Sequence, residues 1–248
     1  MSNEKWNFSK HEEKIRKELI ELFKNSPLPD HDLLLNLPLY SRRHLISHIL
    51  FLDEIYKKNL NVHGIIAEFG VRWGRNLALF ESLRGIYEPF NHNRKIVGFD
   101  TFEGFPSVHE KDGNDSIIKK GAWNVTENYF EYLEKIMDYH EAESPINHIK
   151  KYELVKGDVV NTIKTYLKKC PETIFSLVYF DMDIYKPTME VLIAILPHLT
   201  IGTVLAFDEL NVSRYPGETQ ALKEVLGLNN CRIHHSPYSP TQSYIIMK

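Results

Sequence analysis

The sequence predicts an α/β fold: a mostly parallel seven-stranded sheet, ending in an antiparallel C-terminal hairpin and preceded by N-terminal helices. Two observations predict the sheet. Short apolar runs rich in β-branched residues recur at 65–69, 96–99, 152–155, 174–180 and 203–207, with helical spacing between them at 76–86, 125–139, 159–169 and 188–196. Strand–helix alternation of this kind means parallel strands covered by helices on both faces. The last two apolar runs, 231–234 and 243–247, are joined through Ser236-Pro237-Tyr238-Ser239-Pro240. That connector is too short and turn-rich for a crossover helix, so these strands should pair antiparallel.

Ahead of the sheet, Ile15, Leu19, Ile20 and Phe23 have helical spacing over 12–23, and Ser26-Pro27-Leu28-Pro29 ends that helix. A second helix spans 41–58, with His44, Leu45, His48, Ile49, Leu52, Ile55 and Tyr56 on one stripe. Its two histidines read as packing partners, not metal ligands. The chain divides into an N-terminal helical extension, 1–60, and a main domain, 61–248. The segment 101–123 is long, polar and without periodicity; segments of that kind are commonly lids or binding loops.

Composition excludes several classes. The 248 residues, 43% hydrophobic and 25% charged, suit one ordinary globular domain with a modest extension. A net charge of −3 offers no general basis for nucleic-acid binding. Cys170 and Cys231 stand far apart without a Cys-x-x-Cys, against a disulfide framework or a thiolate zinc site. The polar segment 1–17 lacks a signal peptide's apolar core, and no apolar run approaches the roughly 20 residues of a membrane helix. A cytoplasmic protein with no membrane partner is expected, and homo-oligomerisation is left open.

The first strand ends in Glu68-Phe69-Gly70-Val71-Arg72-Trp73-Gly74. Glycines there permit a tight strand-to-helix turn and close approach of a ligand. The second strand ends in Gly98-Phe99-Asp100, an acid placed to accept hydrogen bonds from ribose hydroxyls. A dinucleotide fingerprint would want glycine where Arg72 stands, since a bulky residue crowds a pyrophosphate. The pattern instead suits a nucleoside cofactor with a methionine tail. Gly70 and Gly74 could also be turn and packing glycines, and Asp100 a helix cap. Asp158, after Lys156-Gly157, either caps the next helix or lies beside an adenine, or both.

Two later strands also end in acids: Phe180-Asp181-Met182-Asp183 and Phe207-Asp208-Glu209-Leu210-Asn211. Ligands of open parallel sheets bind at the carboxyl ends of the strands. Carboxylates converging there repel one another unless a cation neutralises them, and an oxygen-only donor set suits a hard ion such as Mg²⁺.

The strings Asp181-Met182-Asp183-Ile184-Tyr185-Lys186-Pro187-Thr188, Leu196-Pro197, Phe207-Asp208-Glu209, Glu68-Phe69-Gly70-Val71, Gly74-Arg75 and Gly98-Phe99-Asp100-Thr101-Phe102-Glu103-Gly104-Phe105-Pro106 resemble the macrocin O-methyltransferase family over 64–226. Phe-Asp-Glu-Leu-Asn followed by Pro216-Gly217-Glu218 is similar to its calicheamicin-type sugar methyltransferase branch. The resemblance implies a Rossmann-like class I methyltransferase, using S-adenosylmethionine and Mg²⁺ to methylate a sugar hydroxyl on a glycoside or nucleotide-sugar. It implies cofactor contacts at Glu68, Gly70, Gly74, Asp100, Thr101 and Asp158, and metal ligation by Asp181, Asp208 and Glu209. The family commonly has Asp at this last position; the longer Glu209 could ligate directly or through water. Asp181 is the first candidate base, with His109, His234 and His235 as weaker ones. Phenol, amine or carboxyl acceptors, and a non-catalytic nucleoside-binding module, remain open on the residues alone.

Overall fold

A computed structural model describes residues 9–248; the first eight residues of the expected N-terminal extension lie outside the described residues. The chain forms two compact units, one ending at His48 and the other spanning Ile49–Lys248.

In the first unit, α1 (Lys10–Lys24) starts at a capping box: Ser9 accepts from the Glu12 amide, and the Glu12 side chain accepts from the Ser9 amide. Asn25 caps its far end, before Pro27. A short α2 (Asp30–Leu35) and a 3₁₀ turn (Leu37–Tyr40) follow. Neither of these, nor α1, buries a residue. Then α3 (Arg43–Asn59) begins; its Phe51, Leu52, Ile55 and Tyr56 are fully buried within the second unit.

The second unit alternates β1 (Ile65–Phe69), α4 (Arg75–Tyr87), β2 (Ile96–Asp100), α5 (Tyr129–Glu143), β3 (Tyr152–Lys156), α6 (Val159–Lys169), β4 (Phe175–Phe180), α7 (Tyr185–Ile195), β5 (Leu199–Phe207) and α8 (Gly217–Val225). It closes with β6 (Ile233–His235) and β7 (Ser243–Ile246). The seven strands run in the order β3-β2-β1-β4-β5-β7-β6; β7 is antiparallel to both its neighbours, β5 and β6, and the other pairs are parallel, so the C-terminal hairpin is the one expected from the sequence. One face stacks Phe99, Phe69, Phe180 and Phe207 strand to strand, with ring centroids 4.8, 5.7 and 4.8 Å apart. Each such pair adds about 0.5–1.5 kcal/mol to the burial of its rings. The other face packs Tyr179, Val204, Ala206 and Tyr244 with the apolar stripe of α3.

The differences from the sequence reading are local. Asn128 takes a left-handed conformation, so α5 begins at Tyr129 instead of 125. In α7 the helix starts at Tyr185 and takes Pro187 into its first turn, where no intrahelical amide is lost. Helices α2 and α8 are too short for their periodicity to stand out.

Candidate active site

The sheet order reverses between β1 and β4, so a crevice opens at their carboxyl ends. The hydrogen-bond ladder runs one residue past each strand: Gly70 N to Phe99 O, Gly157 N to Asp100 O, Asp181 N to Phe69 O and Asp208 N to Phe180 O, at 2.8–3.0 Å. Sheet register therefore sets where the acids stand.

On the β1 side, Glu68 is 1% exposed and accepts from Asn76 Nδ2 at 2.7 Å, while its Oε2 is buried and unsatisfied. Burial, against the help of that hydrogen bond, holds its carboxyl well above the usual range. Gly70 has φ +95°, and a Cβ there would lie 1.9 Å from the Asp181 carbonyl oxygen. The neighbouring strand end thus demands glycine whether or not a ligand is bound. Gly74 stands at the start of α4, also left-handed. Asp100 Oδ2 accepts from Arg72 N at 2.8 Å and Oδ1 from Phe102 N at 2.5 Å, fixing the two turns that flank it. Its pKa is raised by burial and lowered in part by those amides. Thr101 Oγ1 donates to Gly104 O and accepts from Glu103 N, closing the next turn. Asp158 caps α6 through Val160 N at 3.1 Å, at the end of β3.

On the β4–β5 side the acids gather. Asp208 Oδ1 accepts from Tyr179 OH at 2.7 Å and Gln242 Nε2 at 2.8 Å. Burial, then Asp208, then Asp183, push the partly exposed Asp181 well above the carboxylate range. Burial and Asp208 raise Asp183 to about 7, against a hydrogen bond with Glu209 and, after it, the pull of Arg72. Glu209 is pushed to about 10 by burial, Asp183 and Asp208, and its Oε2 is buried without a partner. Asp183 itself has φ 63°.

Three groups here went unnominated in the sequence reading. Glu218, fully buried at the start of α8, accepts from Met182 N at 3.1 Å and Asp183 N at 3.3 Å. Burial and Asp183 raise it to about 8. Asp112, 1% exposed, accepts from Tyr185 N and His109 N. Gln242 reaches Asp208 from the connector before β7. Only Glu218 had a sequence signal, the Pro216-Gly217 helix start.

His109 caps the 3₁₀ turn Glu110–Asp112: its Nδ1 accepts from Lys111 N, and its ring packs 4.9 Å from Tyr185. His234 stacks on Tyr244 at 4.9 Å. The segment 101–123 is anchored. Phe105 and Ile118 pack with Ile184 and Tyr215, Phe105 exchanges hydrogen bonds with Ala122 and Gly121, and Asp115 pairs with Arg214 at 2.8 Å.

Among solved structures, the chain is similar to CalS11, a calicheamicin methyltransferase: 43% identity over 96% of this chain and 93% of that one, with a TM-score of 0.94. The apo form of CalS11, described as a TDP-rhamnose 3′-O-methyltransferase of calicheamicin biosynthesis, aligns at 40% identity over 96% and 95%, with a TM-score of 0.85. This chain belongs to the calicheamicin-type sugar methyltransferases. It is a class I, S-adenosylmethionine-dependent O-methyltransferase. The O-methyltransferase NovP, 17% identical over 82% of this chain and 80% of that one (TM-score 0.63), shares the fold. No protein-family model and no curated protein matches the chain. No described helix is long and apolar enough to cross a membrane.

Proposed function

We propose that this enzyme methylates a sugar hydroxyl on a small glycoside or nucleotide-sugar, assisted by a divalent cation such as Mg²⁺. The observation that carries the reading is the gathering of Asp181, Asp183, Asp208 and Glu209 at two adjacent strand ends, each acting electrostatically on another. The enzyme's likeness to a TDP-rhamnose methyltransferase supports a sugar acceptor.

The donor chemistry fits a hard cation: oxygen ligands only, with Glu209 Oε2 buried and unsatisfied. Among the described residues no three acids, histidines or cysteines are placed to share one ion as they stand, so ligation requires side-chain rotation. Asp181, Asp208 and Glu209 would hold it, Glu209 directly or through water, and Tyr179 and Gln242 orient Asp208. Bound there, the cation supplies Lewis-acid stabilisation of charge on the acceptor oxygen. For S-adenosylmethionine, the free acceptor on Glu68 and the turn at Gly70–Gly74 offer a nucleoside and amino-acid subsite, with Thr101, Asp100 and Asp158 along its edge. That cofactor brings an electrophilic methyl group. Asp181, ionised once a bound cation offsets its acidic neighbours, would take the proton of the acceptor hydroxyl. Holding both reactants makes the displacement effectively unimolecular.

Mass spectrometry of reactions with S-adenosylmethionine and a panel of sugars and nucleotide-sugars tests the reading. The expected result is a mass gain of one methylene on a sugar, lost in chelator and restored by Mg²⁺. Full-rate transfer in chelator refutes the metal role, and methylation confined to phenols or amines refutes the sugar acceptor.

A further inference from the structure

We propose that Asp112, in the segment between β2 and α5, is a positioning residue for the acids at the end of β4: it locks the turn that carries Asp183, and its loss weakens the cation site. The inference rests on the divalent-cation reading above and adds to it a residue that is not itself a ligand.

Between Phe180, where β4 ends, and Tyr185, where α7 begins, the chain turns within 181–184. Asp183 is left-handed there, with φ 63°, and Ile184 N closes back on Met182 O at 2.7 Å. Non-glycine residues hold such a conformation where their surroundings enforce it. The local sequence does not supply that enforcement. The residue before α7 is Ile184, an apolar side chain with nothing to offer the first amides of the helix, and it makes no side-chain cap.

Two buried carboxylates from distant segments supply it instead. Glu218 accepts from Met182 N and Asp183 N, and Asp112 Oδ1 accepts at 2.5 Å from Tyr185 N, the first amide of α7. Asp112 thus acts as the missing cap from 73 residues away, where a carboxylate also suits the positive end of the helix dipole. Its second oxygen accepts from His109 N at 2.7 Å, so one side chain ties 109–112 to the turn. The approach is close: a Cβ on Gly217 would stand 2.6 Å from Asp183 O, and one on Gly113 3.3 Å from Pro216. Next to Asp112, Lys111 Nζ reaches Tyr185 OH at 3.1 Å and Glu224 at 2.6 Å, holding the segment against α7 and α8.

The consequence for the site runs through Asp183. Its side chain hydrogen-bonds with Glu209, one proposed cation ligand, and Asp181, another, opens the same turn. Without Asp112 the buried amide of Tyr185 has no acceptor, and a buried donor left unpaired favours rearrangement of the backbone that carries it. The acids then lose their common geometry. Groups that orient metal ligands matter in this way: their loss typically weakens metal binding by roughly 10- to 100-fold. The competing reading is that Asp112 merely pins the segment 101–123, as Asp115 does through Arg214.

Calorimetry with Mg²⁺ as the probe separates the two. Mg²⁺ is titrated into wild type, Asp112→Ala, Asp112→Asn and Asp115→Asn, each saturated with S-adenosylhomocysteine. Hydrogen exchange of a peptide spanning 181–188 is followed by mass spectrometry in the apo proteins. The expected result is Mg²⁺ affinity weaker by about 10-fold in Asp112→Ala and by about threefold in Asp112→Asn, which keeps a carbonyl for Tyr185 N. Asp115→Asn loosens the segment without touching the turn and stays within about twofold of wild type. Exchange is faster than in wild type in Asp112→Ala and not in Asp115→Asn. Affinity for S-adenosylhomocysteine within about twofold in every variant shows that each folds. Equal Mg²⁺ affinity, or equal exchange, in wild type and Asp112→Ala overturns the proposal; so does an equal loss of affinity in Asp115→Asn, which makes the effect a general loosening. Should Asp112→Ala not fold, Asp112→Asn decides, and Mg²⁺ affinity equal to wild type overturns the proposal. Wild type that binds no Mg²⁺ sinks the cation reading, and this proposal with it; wild type that binds no better than Asp112→Ala sinks the proposal alone.

Discussion

Replacing Glu81 with methionine should make the enzyme's stability less dependent on pH, by an amount the structure specifies. Glu81 lies on α4, 1% exposed, with neither carboxyl oxygen hydrogen-bonded. Arg84 Nη2 is 3.8 Å away but is also committed to Glu141 at 3.3 Å, and Lys151 is paired with Glu141. Burial therefore outweighs Arg84 and raises the Glu81 pKa from 4.5 to about 7. The sign follows from proton counting. Between those two values the unfolded chain has released the proton that the folded chain still holds, so raising the pH favours unfolding. Below pH 4.5 both states are protonated and the penalty is absent; above about pH 7 it is fully present. With 1.36 kcal/mol per unit, the penalty is roughly 1 kcal/mol at about pH 5 and roughly 3 kcal/mol at about pH 8. Methionine fills a similar volume and cannot ionise. Urea unfolding of both proteins at the two pH values should show Glu81→Met gaining about 2 kcal/mol on wild type from the lower to the higher. The active-site acids titrate in both proteins and cancel. A stability difference that is the same at both pH values refutes the argument, and means that Arg84 compensates the charge after all.

Asp100→Asn should weaken S-adenosylhomocysteine binding by about 1–3 kcal/mol in calorimetry, because an amide group cannot accept from both Arg72 N and Phe102 N as the carboxylate does. Unchanged affinity would mean that the two turns hold without it. Glu218→Ala leaves the buried Met182 and Asp183 amides unpaired and should cost about 2–3 kcal/mol in urea unfolding, whereas Glu218→Gln keeps an acceptor and should recover most of that. Equal losses in the two variants would show that the charge, not the hydrogen bonds, matters. Asp208→Asn should abolish most turnover with S-adenosylhomocysteine affinity within about twofold, and added Mg²⁺ should not rescue it; full activity in the methyl-transfer assay would remove Asp208 from the mechanism.

What could be read in advance and what could not divides along a physical line. Buried strands announce themselves because both faces must be apolar, and 65–69 matches β1 residue for residue. A residue that ends or directly follows such a strand inherits its position from the sheet register, so the places of Asp100, Asp181 and Asp208 were legible as soon as their strands were. Asp112, Glu218 and Gln242 come from a loop, a short helix and a connector, and meet the acids only because distant segments approach closely. A Cβ on Gly217 would stand 2.5 Å from Tyr185 N, which is how near α8 comes to the turn after β4. No periodicity records that approach. Gly70 shows the converse: a glycine that matched a cofactor motif is required by the Asp181 carbonyl, so a motif can be right about place and incomplete about cause. Arg72 joins the two cases. Its position in the motif argued against a dinucleotide, but only the structure shows its guanidinium lying over the Trp123 ring. The strand-end acids are placed by local chain geometry, whereas the groups that hydrogen-bond to them are placed by the approach of segments distant in the chain.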